Sequence, residues 1–181
     1  YQEVNLCQNL TVGENVMLGQ EVRRAGMIDW KATHAAAERH LSELGVRIDT
    51  RSILASHSIA IQQLVAISRA MVVDTKVLVL DEPTSSLDRG EVEQLFGVVR
   101  DLRDRGVAIL FVSHFLDQVY EISDRMTVLR NGTLVGEHMV SDLDPVGLIK
   151  LMVRRSLDQL REPTDHQLRS YVGARRHQAA G

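Results

Sequence analysis

Two short stretches of uninterrupted apolar residues, VLVL at 77–80 and VAILFV at 107–112, constrain the fold of this chain most. Between them, residues 91–105 have the period of an amphipathic helix, which Gly106 can end. Apolar runs of this length without alternation predict strands that are buried on both faces, as in parallel sheets. The order strand, helix, strand therefore predicts an α/β domain with a parallel sheet.

Polar residues follow directly after each apolar run. Asp81 and Glu82 follow the first, and Ser113 and His114 follow the second. In parallel sheets ligands bind outside the carboxyl ends of the strands, so we expect these side chains to converge. Asp81 could then hold a hydrated Mg²⁺, Glu82 could deprotonate a water, and His114 could donate to a phosphoryl group. Taken alone, the same residues also fit an ordinary strand end and a structural histidine.

The composition excludes several classes of protein. A hydrophobic share of 44% supports a packed core and excludes wholesale disorder. The net charge of −3 is too small to suggest a nucleic-acid surface, and no apolar run is long enough to span a bilayer. A single cysteine, Cys7, excludes a disulfide framework. The chain opens on Tyr1 with no visible signal peptide, so we expect a processed start or a longer parent protein.

Further start and stop signals predict the remaining elements. Thr11 and Glu14 have the spacing of a helix capping box, and Asp29 can cap a longer helix that Gly45 ends. Ser58 precedes a third helical pattern. Beyond the second apolar run, the pattern predicts a short helix over 116–122, a hairpin around residues 131–132 and a closing helix over 145–153.

Four motifs in order resemble those of the ATP-binding cassette (ABC) ATPases. DEPTSSLD at 81–88 resembles the Walker B and D-loop stretch, and SIAIQQLVAISRA at 58–70 resembles the signature region. VSH at 112–114 is similar to the switch histidine, and YQE at 1–3 is similar to the Q-loop. Of the usual signature, Leu-Ser-Gly-Gly-Gln, only Ser58 is kept. A Ser-Val-Ala variant is familiar in the monosaccharide-importer branch, and residues 115–120 and 128–132 resemble galactofuranose-type importers most.

The resemblance implies a fold and a domain organisation. The fold is an α/β P-loop NTPase of ABC type, with a RecA-like core, a helical subdomain and three α/β/α layers, truncated at its N-terminus. Residues 1–75 would hold the Q-loop, the helical subdomain and the signature helix. Residues 76–153 would form the C-terminal half of the RecA-like core. We expect residues 154–181 to be a linker or tail.

The resemblance also implies roles at an ATP site with Mg²⁺ as the metal. Glu82 would be the catalytic base, and His114 would stabilise the γ-phosphate in the transition state. Asp81 would support the metal. Gln2 would contact the metal and the attacking water, and would couple the site to a membrane partner.

Two further residues and the partners follow from the same resemblance. Ser58 would reach the γ-phosphate of ATP held by a second nucleotide-binding domain, and Asp88 would lie at the contact between the two domains. The subunit would couple ATP hydrolysis to carbohydrate import across the inner membrane. Its partners would be transmembrane permease subunits and, indirectly, a periplasmic sugar-binding protein, with no nucleic acid. The protein would lie at the cytoplasmic face of the bacterial inner membrane.

The phosphate-binding loop of this family, Gly-x-x-x-x-Gly-Lys-[Ser/Thr], does not occur in the sequence. The three lysines, Lys31, Lys76 and Lys150, follow Trp, Thr and Ile. We therefore expect that part of the domain lies upstream, that the chain alone hydrolyses no ATP, and that core surface is exposed. Two alternatives stay open: a soluble ABC ATPase outside transport, and a non-catalytic interaction fragment.

Overall fold

The structure, a computed structural model, describes residues 6–160, with side chains through residue 152. Contacts divide the chain into two units, Tyr1–Ile122 and Ser123–Gly181, and each is described by itself. This division differs from the boundaries that the sequence suggested, which stay a prediction. Within the described residues, no helix is long and apolar enough to cross a bilayer.

The first unit begins with a helical half. Its helices are α1 (Val12–Val16), α2 (Trp30–Glu43) and α3 (Ile59–Val72), with a small hairpin of β1 (Arg23–Arg24) and β2 (Met27–Ile28) between the first two. Side-chain caps start each helix as the sequence predicted: Thr11, Asp29 and Ser58 accept from backbone N–H groups of the first turns. The helices pack around buried aliphatic residues such as Leu41 and Leu64.

The second half of this unit carries the predicted strand–helix–strand arrangement. It contains β3 (Val77–Asp81), α4 (Arg89–Asp104), β4 (Ala108–Val112) and α5 (Leu116–Ile122). The two strands are parallel, and their register runs from Val77 opposite Ala108 to Asp81 opposite Val112. The parallel sheet and the short helix after it are thus confirmed.

The prediction that both strands are buried on both faces is wrong for this chain. The face that carries Leu78, Leu80 and Phe111 packs into the core, where the Phe111 ring meets Phe96 of α4 edge-on at 5.8 Å. The opposite face is solvent-exposed, and the exposed fractions of its residues are 60% for Val77, 48% for Val79, 55% for Leu110 and 43% for Val112. The physical reason is that no described element covers this face. The expected exposure of core surface is therefore present.

The second unit is a hairpin and a helix. Strands β5 (Arg125–Arg130) and β6 (Thr133–Met139) are antiparallel and joined at Asn131 and Gly132, whose φ angles of +50° and +75° suit a two-residue hairpin turn. Helix α6 (Pro145–Leu160) buries Leu148 and continues past residue 153, where the sequence predicted its end, into the range predicted as a linker. The remainder of that predicted tail, 161–181, lies outside the described residues.

Candidate active site

The ends of the two parallel strands bring the predicted catalytic side chains together. Asp81 and Val112 are the last residue pair of the sheet, so both strands stop at the same level. Glu82 and His114 leave the sheet at this edge, and His114 Nδ1 lies 2.8 Å from both carboxylate oxygens of Glu82. Of the residues expected to converge, Glu82 and His114 are therefore in direct contact.

Glu82 adopts a backbone conformation that is uncommon for a residue with a side chain. Its φ is +48°, in the left-handed region, which costs about 1–2 kcal/mol for a residue other than glycine. The Glu82 N–H donates to Val112 O at 2.9 Å, which extends the sheet pairing by one residue beyond β3. Strained backbone of this kind persists where neighbouring contacts hold it and is concentrated at functional sites.

The histidine side of the pair is open to solvent. The His114 side chain is 65% exposed and that of Glu82 is 31% exposed, so the pair can be reached by a ligand. The ring of Phe115 lies 4.1 Å from the His114 ring and limits its orientation. Because a carboxylate only accepts, the His114 Nδ1 carries the hydrogen that faces Glu82. Nε2 is left to face the solvent or a substrate.

Asp81 supplies an exposed carboxylate beside this pair. Among the described residues, no group of three or more His, Cys, Asp or Glu could form a metal cage made by protein alone. Mg²⁺ in nucleotide sites needs only one or two carboxylates, since water and phosphate oxygens complete its octahedron. The donor available here therefore fits a nucleotide-bound Mg²⁺.

Ser58 lies on a different element, at the N-cap of α3, and its side chain is exposed. Its hydroxyl accepts from Ile61 N at 3.4 Å, a long and therefore weak capping bond that leaves it available to another partner. Helix N-termini favour anions, which suits the phosphate contact that the resemblance implies. Within the described residues, no hydrogen bond or ion pair links Ser58 to Glu82 or His114.

The sequence did not indicate the polar contacts that fix the turn before Ser58. The Ser52 hydroxyl donates to Asp49 O at 2.6 Å, so its oxygen accepts from His57 Nε2, also at 2.6 Å. The Gln62 amide then donates to His57 O at 2.9 Å. The sequence offered one signal for Gln62. It is a polar residue four positions after the helix cap Ser58, and residues at that spacing lie on the same side of a helix.

Asp88 has a structural role that the sequence analysis did not identify. Its carboxylate accepts from Glu91 N at 2.9 Å, while Glu91 accepts from Asp88 N at 3.1 Å, which forms a capping box at the start of α4. The role at a domain contact stays a prediction. Gln2 lies outside the described residues, so its predicted role also stays a prediction.

Comparisons with known proteins show what the chain as a whole is similar to. The sequence model of the ABC transporter family matches residues 1–85. The fructose import ATP-binding protein FruK of Bifidobacterium longum is 60% identical over 161 residues, 88% of this chain and 31% of that protein. The galactofuranose transporter ATP-binding protein YtfR of Escherichia coli K12 is 49% identical over 158 residues, 87% of this chain and 32% of that protein. The chain thus spans about a third of the length of these relatives.

A solved structure confirms the fold. The dimeric post-hydrolysis state of an ATP-binding cassette bound to ADP and Pi is similar with a TM-score of 0.63 at 23% identity, covering 77% of this chain and 61% of that one. The α/β core is therefore the P-loop NTPase fold of these cassettes. In its relatives, its fold and its matched motifs this chain is similar to the ATP-binding proteins of ABC transporters.

Proposed function

We propose that this chain is part of the ATP-hydrolysing subunit of a bacterial sugar importer, which couples ATP hydrolysis to carbohydrate uptake. The observation that carries the proposal is the 2.8 Å contact between Glu82 and His114 at the carboxyl edge of the parallel sheet. The names of the two relatives, a fructose importer and a galactofuranose transporter, support sugar as the cargo. The higher identity, 60% against 49%, belongs to the fructose importer, so the galactofuranose assignment stays a prediction.

In this proposal Glu82 is the general base for hydrolysis. One carboxylate oxygen takes a proton from the attacking water, and general-base catalysis of this kind contributes about 10²–10⁴ in rate. His114 donates a hydrogen bond from Nε2 to the γ-phosphate as negative charge develops there. Because Nδ1 donates to Glu82, this step uses the imidazolium form, in which both ring nitrogens are donors. Asp81 holds Mg²⁺, which neutralises charge on the phosphate oxygens when it is bound.

The remaining predicted residues act between subunits. Ser58 binds the γ-phosphate held by a second nucleotide-binding domain, because its exposed hydroxyl lies at a helix N-terminus. Asp88, also exposed, lies at the contact between the two domains. Gln2 links the metal site to the transmembrane permease. A periplasmic sugar-binding protein delivers the sugar, and the subunit works at the cytoplasmic face of the inner membrane.

The test is ATP turnover by the protein at its natural length, reconstituted with its permease in vesicles. Glu82→Gln keeps the shape of the side chain and removes the base, so we expect turnover to fall by about 10²–10⁴-fold while ATP still binds. Glu121→Gln is the matched control, since Glu121 is an exposed carboxylate that pairs with Arg100 on α4 and α5, away from the strand ends. Equal turnover in the Glu82→Gln and parent proteins would contradict the proposal.

A further inference from the structure

A second side-chain contact, besides the one between Glu82 and His114, joins the chain segment after β3 to the segment after β4. The Thr84 hydroxyl donates to the Gln118 side-chain oxygen at 2.6 Å, although the two residues are 34 positions apart. Thr84 lies in the loop that follows β3, and Gln118 lies in α5, which follows β4. The bond therefore joins the loop that carries Glu82 to the helix that follows His114.

This second contact lies in a more protected place than the first. Thr84 is 3% exposed and Gln118 is half-buried, whereas His114 is mostly exposed. A buried hydroxyl that loses its partner is costly, so the Thr84–Gln118 bond is held more firmly than an exposed ion pair. Arg100 of α4 also bonds Glu121 of α5 at 2.9 Å, but both side chains are exposed, so this ion pair adds little to the hold on α5.

The position of Thr84 matters because of the backbone at Glu82. Only Pro83 separates them, and its ring fixes φ, so little freedom remains between the two residues. On one side the Glu82 N–H is held by Val112 O, and on the other side Thr84 is held by Gln118. Hydrogen bonds at Glu82 itself and at Thr84 thus hold the backbone of Glu82 in its left-handed conformation.

We propose that Thr84 and Gln118 form a positioning pair, which holds the Glu82 carboxylate against the His114 imidazole. Neither residue touches the reacting atoms. They act by keeping the loop after β3 and the helix after β4 at a fixed separation. The consequence for turnover rests on the proposed function, whereas the consequence for the Glu82–His114 contact does not.

Four single substitutions distinguish the effect of the Thr84–Gln118 hydrogen bond from the effect of side-chain packing. Thr84→Val and Gln118→Leu remove the donor and the acceptor with little change in volume. Thr84→Ser and Gln118→Glu keep a hydroxyl donor and an oxygen acceptor at the same places. The double variant Thr84→Val/Gln118→Leu completes a double-mutant cycle. If the two residues act only through their shared hydrogen bond, the loss of kcat in the double variant should be no larger than the larger of the two single losses.

The kinetic readout uses the natural-length protein with its permease. We expect kcat to fall about tenfold in the Thr84→Val and Gln118→Leu variants, since small misplacements of catalytic groups have effects of this order or larger. KM for ATP should change less than about twofold, because the pair does not contact substrate. The Thr84→Ser and Gln118→Glu variants should keep most of the parent kcat. A lowered melting temperature with unchanged kcat in the removal variants would show a merely stabilising bond and would overturn the proposal.

A second readout does not depend on hydrolysis. In protein carrying ¹⁵N-labelled histidine, the His114 ring signals are assigned by their loss in His114→Asn. We expect the hydrogen to reside on Nδ1 in the parent, as the contact with Glu82 requires, and to redistribute toward Nε2 in the removal variants. Unchanged ring signals in Thr84→Val and Gln118→Leu would refute the positioning role. If Glu82→Gln leaves turnover intact while these signals do redistribute, the proposed function fails and the positioning role stands.

Discussion

Gly13 is a residue at which the helical half has no room for a side chain. A Cβ at this position of α1 would lie 2.3 Å from His34 Nδ1 and 3.0 Å from Thr50 O. We therefore expect Gly13→Ala to lower the free energy of unfolding by about 1–3 kcal/mol through overpacking. Urea unfolding of the 181-residue chain measures this change.

Gly97→Ala is the matched control for this substitution. Gly97 also lies within a helix, α4, but a Cβ there would have no neighbour within 4 Å. Alanine should raise the free energy of unfolding by about 0.5–1 kcal/mol, because it restricts the unfolded chain and favours the helix. A Gly13→Ala protein as stable as the Gly97→Ala protein would contradict the predicted steric clash.

Glu14 gives the helical half a pH-dependent stability. The Thr11 hydroxyl, followed by the Thr11 N–H, donates to the carboxylate and lowers the pKa of Glu14 below its usual 4.5. A group whose pKa is lower in the folded state adds stability above its unfolded pKa and loses it as the pH falls through its folded pKa. Glu14→Gln should therefore lower the urea midpoint at about pH 6.5, and this effect should shrink as the pH falls through the folded pKa of Glu14.

The control for that pH dependence is Glu38→Gln, on the exposed side of α2. Among the described residues, Glu38 has no hydrogen bond to a helix cap, so the midpoint should change little at either pH. A Glu14→Gln effect that persists undiminished in acid would mean that the contribution comes from packing instead of the carboxylate charge.

At the residue scale the sequence indicated Asp81, Glu82 and His114 because they lie at or just after the end of an apolar run, and strand ends of a parallel sheet meet by topology. It did not identify Gln118, since a polar residue on a short helix has no pattern that names a partner 34 residues away. The sequence also did not predict the positive φ angle of Glu82. A residue with a side chain adopts left-handed backbone because of tertiary contacts, which no local pattern shows.

At the element scale, the exposed face of β3 and β4 dominates the behaviour of the isolated chain. Val79 and Leu110 lie opposite each other on that face. We expect the 181-residue chain to self-associate through it, and Val79→Thr/Leu110→Thr to reduce that association with little loss of stability. Sedimentation velocity over a range of concentrations measures the association.

Leu80→Thr is the control for the double substitution, since Leu80 lies on the same strand as Val79 but faces the core. It should cost about 2–4 kcal/mol, because it removes buried methyl groups and buries a hydroxyl. A monodisperse parent chain would contradict the role of the exposed face.

Helices and strands themselves were well predicted, and the burial of the strands was not. Caps and glycines are local signals, so they located α2, α3 and the hairpin at Asn131. An apolar run without alternation, such as VLVL, indicates that both faces of the strand are suited to burial. Whether a face is buried depends on which other elements pack against it. The end of α6 was missed for a similar reason, since no glycine or proline follows residue 153 within the helix.

At the scale of the whole molecule, the 181-residue chain contains the proposed base, Glu82, and His114, but its sequence has no glycine–lysine pair for a phosphate loop. We expect this chain alone to release phosphate from ATP at the background rate, because nothing in its sequence supplies that cradle for the β- and γ-phosphates. A sensitive phosphate-release assay at saturating ATP checks this. Turnover that Glu82→Gln abolishes in the isolated chain would prove the expectation wrong.

The left-handed backbone at Glu82 has an evolutionary consequence. Glycine at position 82 would adopt a φ of +48° without strain, so selection for folding alone would favour it. Glycine would also remove the carboxylate that faces His114. Position 82 is thus a place where a thermostabilising screen, run without an activity assay, would enrich proteins that lack the proposed general base. Laboratory evolution of this chain therefore needs both selections applied together.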